Sequence, residues 1–266
     1  MYVVKIGGSL ITHKDEYCSP NLEEIRRYAK VVKKIWEDIK GNLIIVLGGG
    51  SYGNGVPIRY NIKNSDQPWD PLDLQMMTIK MFEWISLVCR IFREEGIPCY
   101  PFQASSYCTT KDGDLSEYNI AAIKECLKLN ILPITSGDLT FDKDKIFVIY
   151  SSDNIPEVFA RSFRVKRVVT LTDVDGIYTT NQMKDIIKLV NKDNYREILN
   201  LAGDSNKQDV TGGMKNKLRA LIRIAALGTE CVICSGKDPM NLIPAIYSQT
   251  PPGTFISAWE CEGSSC

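Results

Sequence analysis

The run LGGGSYGNG, residues 47–55, follows the apolar stretch NLIIV with three consecutive glycines, then a serine, an aromatic residue, a glycine and an asparagine. A strand that empties into such a run needs a bare backbone just beyond its end. Two more glycine turns occur, KIGGSL at residues 5–10 and DVTGGMKNK at residues 209–217. The first leaves an apolar strand carrying Lys5, and the last opens a helix carrying Lys215 and Lys217. Glycines at such points let backbone N–H groups approach an anion, and a helix N-terminus adds a favourable dipole. One Gly-Gly pair is a tight turn and nothing more. Three, two of them with lysine close by, point to a site for several phosphate groups.

Working outward, strand-like apolar runs alternate with longer helical patterns. That alternation predicts an α/β fold with a mainly parallel sheet and helices on both faces. Residues 2–6 and 43–47 read as strands. Between them, Ser19 and Pro20 read as the N-cap and first position of a helix that stops at Gly41. Residues 57–70 read as an irregular polar excursion, and Asp70-Pro71 starts a long helix ending at Gly96. IPCYPF reads as a short strand, TTKDGDLS as a hairpin around Asp-Gly, residues 117–129 as a helix and FDKDKIFVIY as a second hairpin. SDNIPEVFARSF reads as a short helix; later strands fall near 230–234 and 253–257, with a helix near 239–247 between them.

Net charge is zero, with 32 basic and 32 acidic residues, which argues against a nucleic-acid partner. No apolar run reaches the ~18 residues of a membrane span, and no signal peptide is visible, so a cytoplasmic location is expected. The nine cysteines are scattered. Cys231 and Cys234 have redox or zinc spacing, but they fall in a strand-like run with no second pair or histidine, so a structural role is expected. No P-loop is present. Residues 48–53 satisfy the Rossmann G-x-G-x-x-G spacing, yet no acidic residue ends a second strand about 20 residues later.

Taken in order, KIGGSL, the glycine triplet after the second strand, TLTDVDGIYT (170–179) and TGGMKNKL (211–218) resemble the amino acid kinase superfamily over nearly the whole chain. GGSLIT followed by Lys14, GGGSYG and SSDNIPEVFA resemble its isopentenyl phosphate kinase and fosfomycin resistance kinase branch. HKDE, PFQASSYCT and TLTDVDGI look closer to the fosfomycin kinases. The resemblance implies a three-layer αβα sandwich in a single domain, residues 1–266. Its acceptor half would cover about 1–160 and its nucleotide half about 161–258. It also implies ATP with Mg²⁺, a homodimer, and transfer of the γ-phosphoryl group to a small phosphate or phosphonate. No dedicated metal site is expected, since Mg²⁺ is held by nucleotide phosphates and waters.

By the same resemblance, Lys5 bridges donor and acceptor phosphates, and Lys14 and Lys217 complete a line of cations. Such cations are what phosphoryl transfer needs. Asp153 would orient Lys5 and Lys217; the competing reading is a helix N-cap. Gly8, Ser9, Gly49, Gly50, Ser51, Gly53, Asn54, Gly137, Asp138 and Ser152 would shape the acceptor site. Gly7, Thr172, Asp173, Asp175 and Gly176 would join Thr211, Gly212, Gly213 and Met214 around the nucleotide. Arg59, Lys63 and Trp69 would belong to a lid or a solvated loop. Met76, Met77, Met81, Phe82 and Trp84 suit core packing or a dimer seam, and this helix could also supply a greasy acceptor pocket.

One residue departs from the branch. Its glycine loop continues Gly-His, with the histidine on the acceptor's anion; here the position is Asn54, and the only histidine in the chain is His13. Asparagine cannot be a cation, so a charge-assisted bond worth about twice a neutral one is lost. Three readings stay open: a phosphonate or phosphate acceptor held otherwise, isopentenyl phosphate included; a carboxylate or alcohol acceptor; or a weakened enzyme. A protein that binds nucleotide without catalysis is the remaining class.

Overall fold

The computed structural model describes residues 1–62, 68–179, 185–201 and 213–259. The elements in chain order are β1 (Tyr2–Ile6), α1 (Gly8–Ile11), α2 (Leu22–Ile39), β2 (Leu43–Leu47), α3 (Gly50–Arg59) and α4 (Pro71–Glu94). Then come β3 (Cys99–Phe102), β4 (Cys108–Lys111), β5 (Asp114–Tyr118), α5 (Ala121–Lys128), β6 (Leu132–Ser136), β7 (Asp138–Asp142) and β8 (Ile146–Tyr150). The chain continues through α6 (Ile155–Ser162), β9 (Arg167–Thr172), β10 (Leu189–Val190), α7 (Tyr195–Leu201), α8 (Gly213–Ala225), β11 (Glu230–Ser235), α9 (Leu242–Tyr247) and β12 (Thr254–Ile256).

Eight strands form one sheet in the order β10-β12-β11-β9-β1-β2-β6-β3. Every pairing in it is parallel except β11 with β12. The central strands are buried on both faces, which is why YVVKI and LIIVL read as continuous apolar runs. Alternation sorts their side chains between two cores. Leu43, Ile45 and Leu47 face a core shared with α2 and α4, whereas Ile44 and Val46 face one shared with α6 and α8. The result is the expected αβα sandwich. A four-stranded sheet, β5-β4-β7-β8, is built from the two hairpins. Its Asp-Gly turn has left-handed φ at both residues, 51° at Asp112 and 87° at Gly113.

Three local expectations are corrected. The first long helix is capped by Asn21, whose side chain accepts the Glu24 N–H at 3.1 Å, and not by Ser19. Ser19 is otherwise engaged: its N–H bonds Ser51 and its carbonyl accepts from His13. The glycine run is helical from Gly50 to Arg59 despite Gly53, Gly55 and Pro57, so the excursion expected from residue 57 starts later. Poor helix formers are overridden there by packing of Val56 and of Tyr52, whose ring stacks on Trp84 of α4 at 5.0 Å. The helix expected at 117–129 is shorter because β5 extends to Tyr118.

Candidate functional site

β1 and β2 lie side by side and parallel, so their two glycine turns emerge together at the same end. They touch through bare backbone. A Cβ on Gly8 would sit 2.2 Å from the Gly50 nitrogen, and one on Gly48 would sit 2.1 Å from the Gly8 nitrogen. The close approach of two main chains therefore accounts for the glycines at 8 and 48, whereas Gly50 has a left-handed φ of 50° and a Cβ there would sit 2.1 Å from the Thr12 hydroxyl. Gly53 differs, since a Cβ there would meet nothing within 4 Å. Gly8 opens α1 and Gly50 opens α3, and first-turn N–H groups have no intrahelical acceptor. Leu10, Ser51 and Tyr52 already spend their N–H groups on the Gly7 carbonyl, the Thr12 hydroxyl and the Gly49 carbonyl, so what the junction offers to the space above it is the backbone of Gly8, Ser9 and Gly50.

Three charged groups converge beside this junction. Lys5, one residue before the end of β1, is buried and forms an ion pair with Asp153 Oδ1. Lys217, in the second turn of α8, lies 3.6 Å from Asp153 Oδ2. Asp153 stands in the turn between β8 and α6, and its carboxylate faces the two lysines. The N-cap of α6 is Asn154, so the capping alternative for Asp153 does not describe this geometry. Burial alone would push the Asp153 carboxyl up, but Lys5 and then Lys217 outweigh it and hold it below its ordinary value. Burial lowers the Lys5 ammonium, with Asp153 opposing. A buried lysine keeps its charge only with such a partner.

Lys14, in the loop after α1, reaches across to Asp173 beyond the end of β9 at 2.9 Å. Both side chains are largely exposed, 61% and 40%. Burial would raise the Asp173 carboxyl, and Lys14 holds it low. The ion pair joins the N-terminal half of the chain to the C-terminal half.

A cavity of about 1560 Å³ opens over all of these groups. From the N-terminal half its wall takes Gly7, Gly8, Ser9, Gly49, Gly50, Gly53, Asn54, Gly137 and Ser152, besides Lys5, Lys14 and Asp153. From the C-terminal half it takes Thr172, Asp173, Gly176, Gly213, Met214 and Lys217. Three expected site residues do not reach the wall. Ser51 is buried between Thr12 and Ser19, donating its N–H to one and exchanging hydrogen bonds with the other. Asp138 is buried against Ser105, which donates to it at 2.6 Å, and the Leu139 N–H. Asp175 instead accepts from the Tyr178 hydroxyl at 3.3 Å. Thr211 and Gly212 lie outside the described residues.

Sequence reasoning did not single out other wall residues. Arg219 and Arg223 of α8 line the cavity. Arg223 is braced by Glu157 at 2.8 Å and Asn154 at 2.9 Å. Their spacing from Asn216 by three and seven residues was the available signal, one helical stripe. Asp114, Ile149 and Tyr150 come from the hairpins, whose placement over the site no local pattern encodes. Met77 and Met81, which the sequence offered to the core, a dimer seam or a greasy pocket, are wall residues as well as core residues. The lid residues are placed elsewhere: Arg59 lies over the Tyr17 ring at 4.5 Å, and Trp69 packs edge-on to Phe147 at 5.7 Å. Trp69 lines a separate cavity of about 260 Å³ that no site lysine reaches. Lys63 lies outside the described residues. Cys231 and Cys234 are buried free thiols in β11, both pushed up by burial.

Comparison with known proteins agrees with this geometry. The sequence profile of the amino acid kinase family matches residues 1–235. An isopentenyl phosphate kinase of Methanothermobacter thermautotrophicus is 30% identical over 97% of this chain and 99% of its own length. One of Methanocaldococcus jannaschii is 30% identical over 96% and 97%. A solved isopentenyl phosphate kinase structure superposes with a TM-score of 0.77 at 27% identity, covering 97% of this chain and all of that one. The closer likeness to fosfomycin kinases is not shown by these relatives. The chain belongs to the amino acid kinase family and is an ATP-dependent phosphotransferase.

Proposed function

We propose that the chain transfers the γ-phosphoryl group of ATP to a small phosphate monoester with an apolar tail, isopentenyl phosphate being the first candidate. The observation that carries this reading is one wall holding both required chemistries. Lys5, Lys217 and Asp153 form a charged cluster, while Met77, Met81 and Ile149 supply apolar surface to the same cavity. Methionine adapts to an irregular aliphatic ligand. The relatives named isopentenyl phosphate kinase support this acceptor over the phosphonates. Asn54 would hold the acceptor's anion through a neutral amide, with Lys14 and the junction's N–H groups supplying the rest.

Thr172, Asp173, Gly176, Gly213 and Met214 would hold the nucleotide, with Ile177 and Tyr178 lining the same end. Mg²⁺ would arrive with ATP and offset charge on its phosphates. Lys5 and Lys217 would stabilise charge on the transferred group, and Asp153 would keep both in place. A homodimer is proposed through the exposed face of α4, where Leu72, Ile79 and Phe82 lie, next to Tyr100 on the edge strand β3.

The test is ADP release from Mg·ATP with isopentenyl phosphate, fosfomycin, other small phosphate monoesters and carboxylates. Turnover of isopentenyl phosphate at least tenfold above the others is expected. Preferred turnover of fosfomycin or a carboxylate overturns the acceptor assignment. Silence on every acceptor with ATP bound moves the chain to the non-catalytic class.

A further inference from the structure

The small sheet forms part of the cavity wall, and one carboxylate that never reaches the cavity ties its two hairpins together. Asp142, the last residue of β7, is buried. Its Oδ1 accepts the N–H groups of Asp112 at 3.1 Å, Asp144 at 2.9 Å and Lys145 at 2.8 Å. Its Oδ2 accepts the N–H of Gly113 at 2.8 Å. Two donors belong to the β7–β8 turn and two to the β4–β5 turn. Burial would raise this carboxyl, but the hydrogen bonds, led by Gly113, hold it below its ordinary range, so it is an anion at neutral pH. The exposed Lys145–Asp112 pair at 2.7 Å also spans the two turns, and an exposed pair of that kind contributes little.

The residue after Gly113 is Asp114, and Asp114 is on the cavity wall. Ile149 and Tyr150 of β8 line the wall too. A wall carboxylate is thus placed by a backbone hydrogen bond one residue away.

We propose that Asp142 is a positioning residue for the acceptor: it pins the β4–β5 turn to the β7–β8 turn and so holds Asp114 on the acceptor end of the wall. The inference rests on the reading above only in assigning that end to the acceptor. Asp114 has no ion-pair partner among the described residues. The other carboxylates on the wall, Asp153 and Asp173, are paired with lysines, so Asp114 is the one that disfavours acceptors whose tails carry a second negative charge and leaves apolar tails unaffected.

Asp142→Asn tests the idea with little change of shape. An oxygen at the Oδ1 position keeps three of the four bonds, while the amide nitrogen meets the Gly113 N–H, donor against donor. The expected result is that the KM of a small phosphate monoester whose tail carries a carboxylate falls about fivefold, with the KM of isopentenyl phosphate, the ATP KM and kcat within about twofold of wild type. Amide exchange at residues 112–114 should quicken. Asp114→Asn, which leaves the anchor intact, should lower the KM of that carboxylate-tailed acceptor alone, and the double variant should add nothing further. Unchanged exchange at 112–114 in Asp142→Asn overturns the anchoring. Faster exchange with an unchanged KM for the carboxylate-tailed acceptor overturns the positioning role. Equal rises in the acceptor and ATP KM values also overturn it, because they assign Asp142 to general stability. Silence on isopentenyl phosphate sinks the acceptor assignment alone, and the KM split is then read on the panel acceptor that is turned over.

Discussion

Asp153 meets Lys5 with one carboxylate oxygen and Lys217 with the other, joining a strand of the N-terminal half to a helix of the C-terminal half. A single anion thereby sets the spacing of two cations that come from residues 212 positions apart. Asp153→Asn keeps the shape and removes the charge. We expect kcat to fall about 10²–10³-fold, the range for loss of a preorganised electrostatic group. The sign of the pH effect follows from Lys5. Burial already lowers its ammonium, and Asp153 opposes that; without the carboxylate the lysine loses its proton at lower pH. The alkaline limb of kcat should therefore move to lower pH in the variant. An unmoved limb would show that Lys5 does not titrate with activity.

The two kinds of glycine at the junction should separate cleanly. Gly8→Ala places a methyl 2.2 Å from backbone, where nothing flexible can yield, so stability and turnover should fall together. Gly53→Ala points into open space and should leave the melting temperature within a few degrees while changing the acceptor KM. Thermal unfolding and steady-state kinetics on both variants decide this.

Lys14 should matter to catalysis and hardly at all to folding. Its pair with Asp173 is exposed, so Lys14→Met should alter stability by less than ~1 kcal/mol. If Lys14 stands on the proposed transfer path, its loss should lower kcat/KM by about 10–100-fold, or ~1.4–2.7 kcal/mol of transition-state stabilisation. A large drop in denaturant midpoint would instead make the pair structural.

Asn54→His restores a titratable cation on a wall where no described residue is a histidine. Imidazole charges below about pH 6.5. The ratio of variant to wild-type kcat/KM for an anionic acceptor should therefore rise as pH falls from 8 to 6. A ratio flat across that window would place residue 54 away from the anion.

Asp138 makes a prediction about stability alone. Burial raises its carboxyl despite hydrogen bonds from Ser105 and the Leu139 N–H. A raised folded-state value stabilises the fold below the unfolded pKa, and that contribution is lost as pH rises through the folded one. Relative to wild type, Asp138→Asn should thus gain stability between pH 4 and pH 7, read from urea unfolding at each pH. A difference independent of pH would mean that Asp138 has an ordinary pKa.

The sequence carried the central sheet because its physics is local. Continuous apolar runs such as LIIVL mark strands buried on both faces, and Asp70-Pro71, Gly41 and Asp112-Gly113 mark a start, a stop and a turn through their own backbone preferences. The glycine turns after the first two strands were legible as well, with Lys5 and Lys217 marked by glycine turns beside them in the sequence, while Asp153 was legible only because its flanking motif resembles a family. Composition alone would have left them among 64 charged residues.

Tertiary structure decided what depends on distant backbone. Gly8 and Gly48 are glycines largely because each faces the other's main chain, a contact between residues 40 apart that no local pattern records. Ser51 and Asp138 sit beside expected site glycines in sequence, yet side-chain direction turns both into the interior. Asp114 reaches the cavity because Asp142, 28 residues away, collects the N–H groups of both hairpin turns. Sequence fixes where a chain bends and which face it buries, since those follow from each residue's own torsions and polarity. Which groups meet across the bends depends on the packing of whole elements, and there the site is assembled.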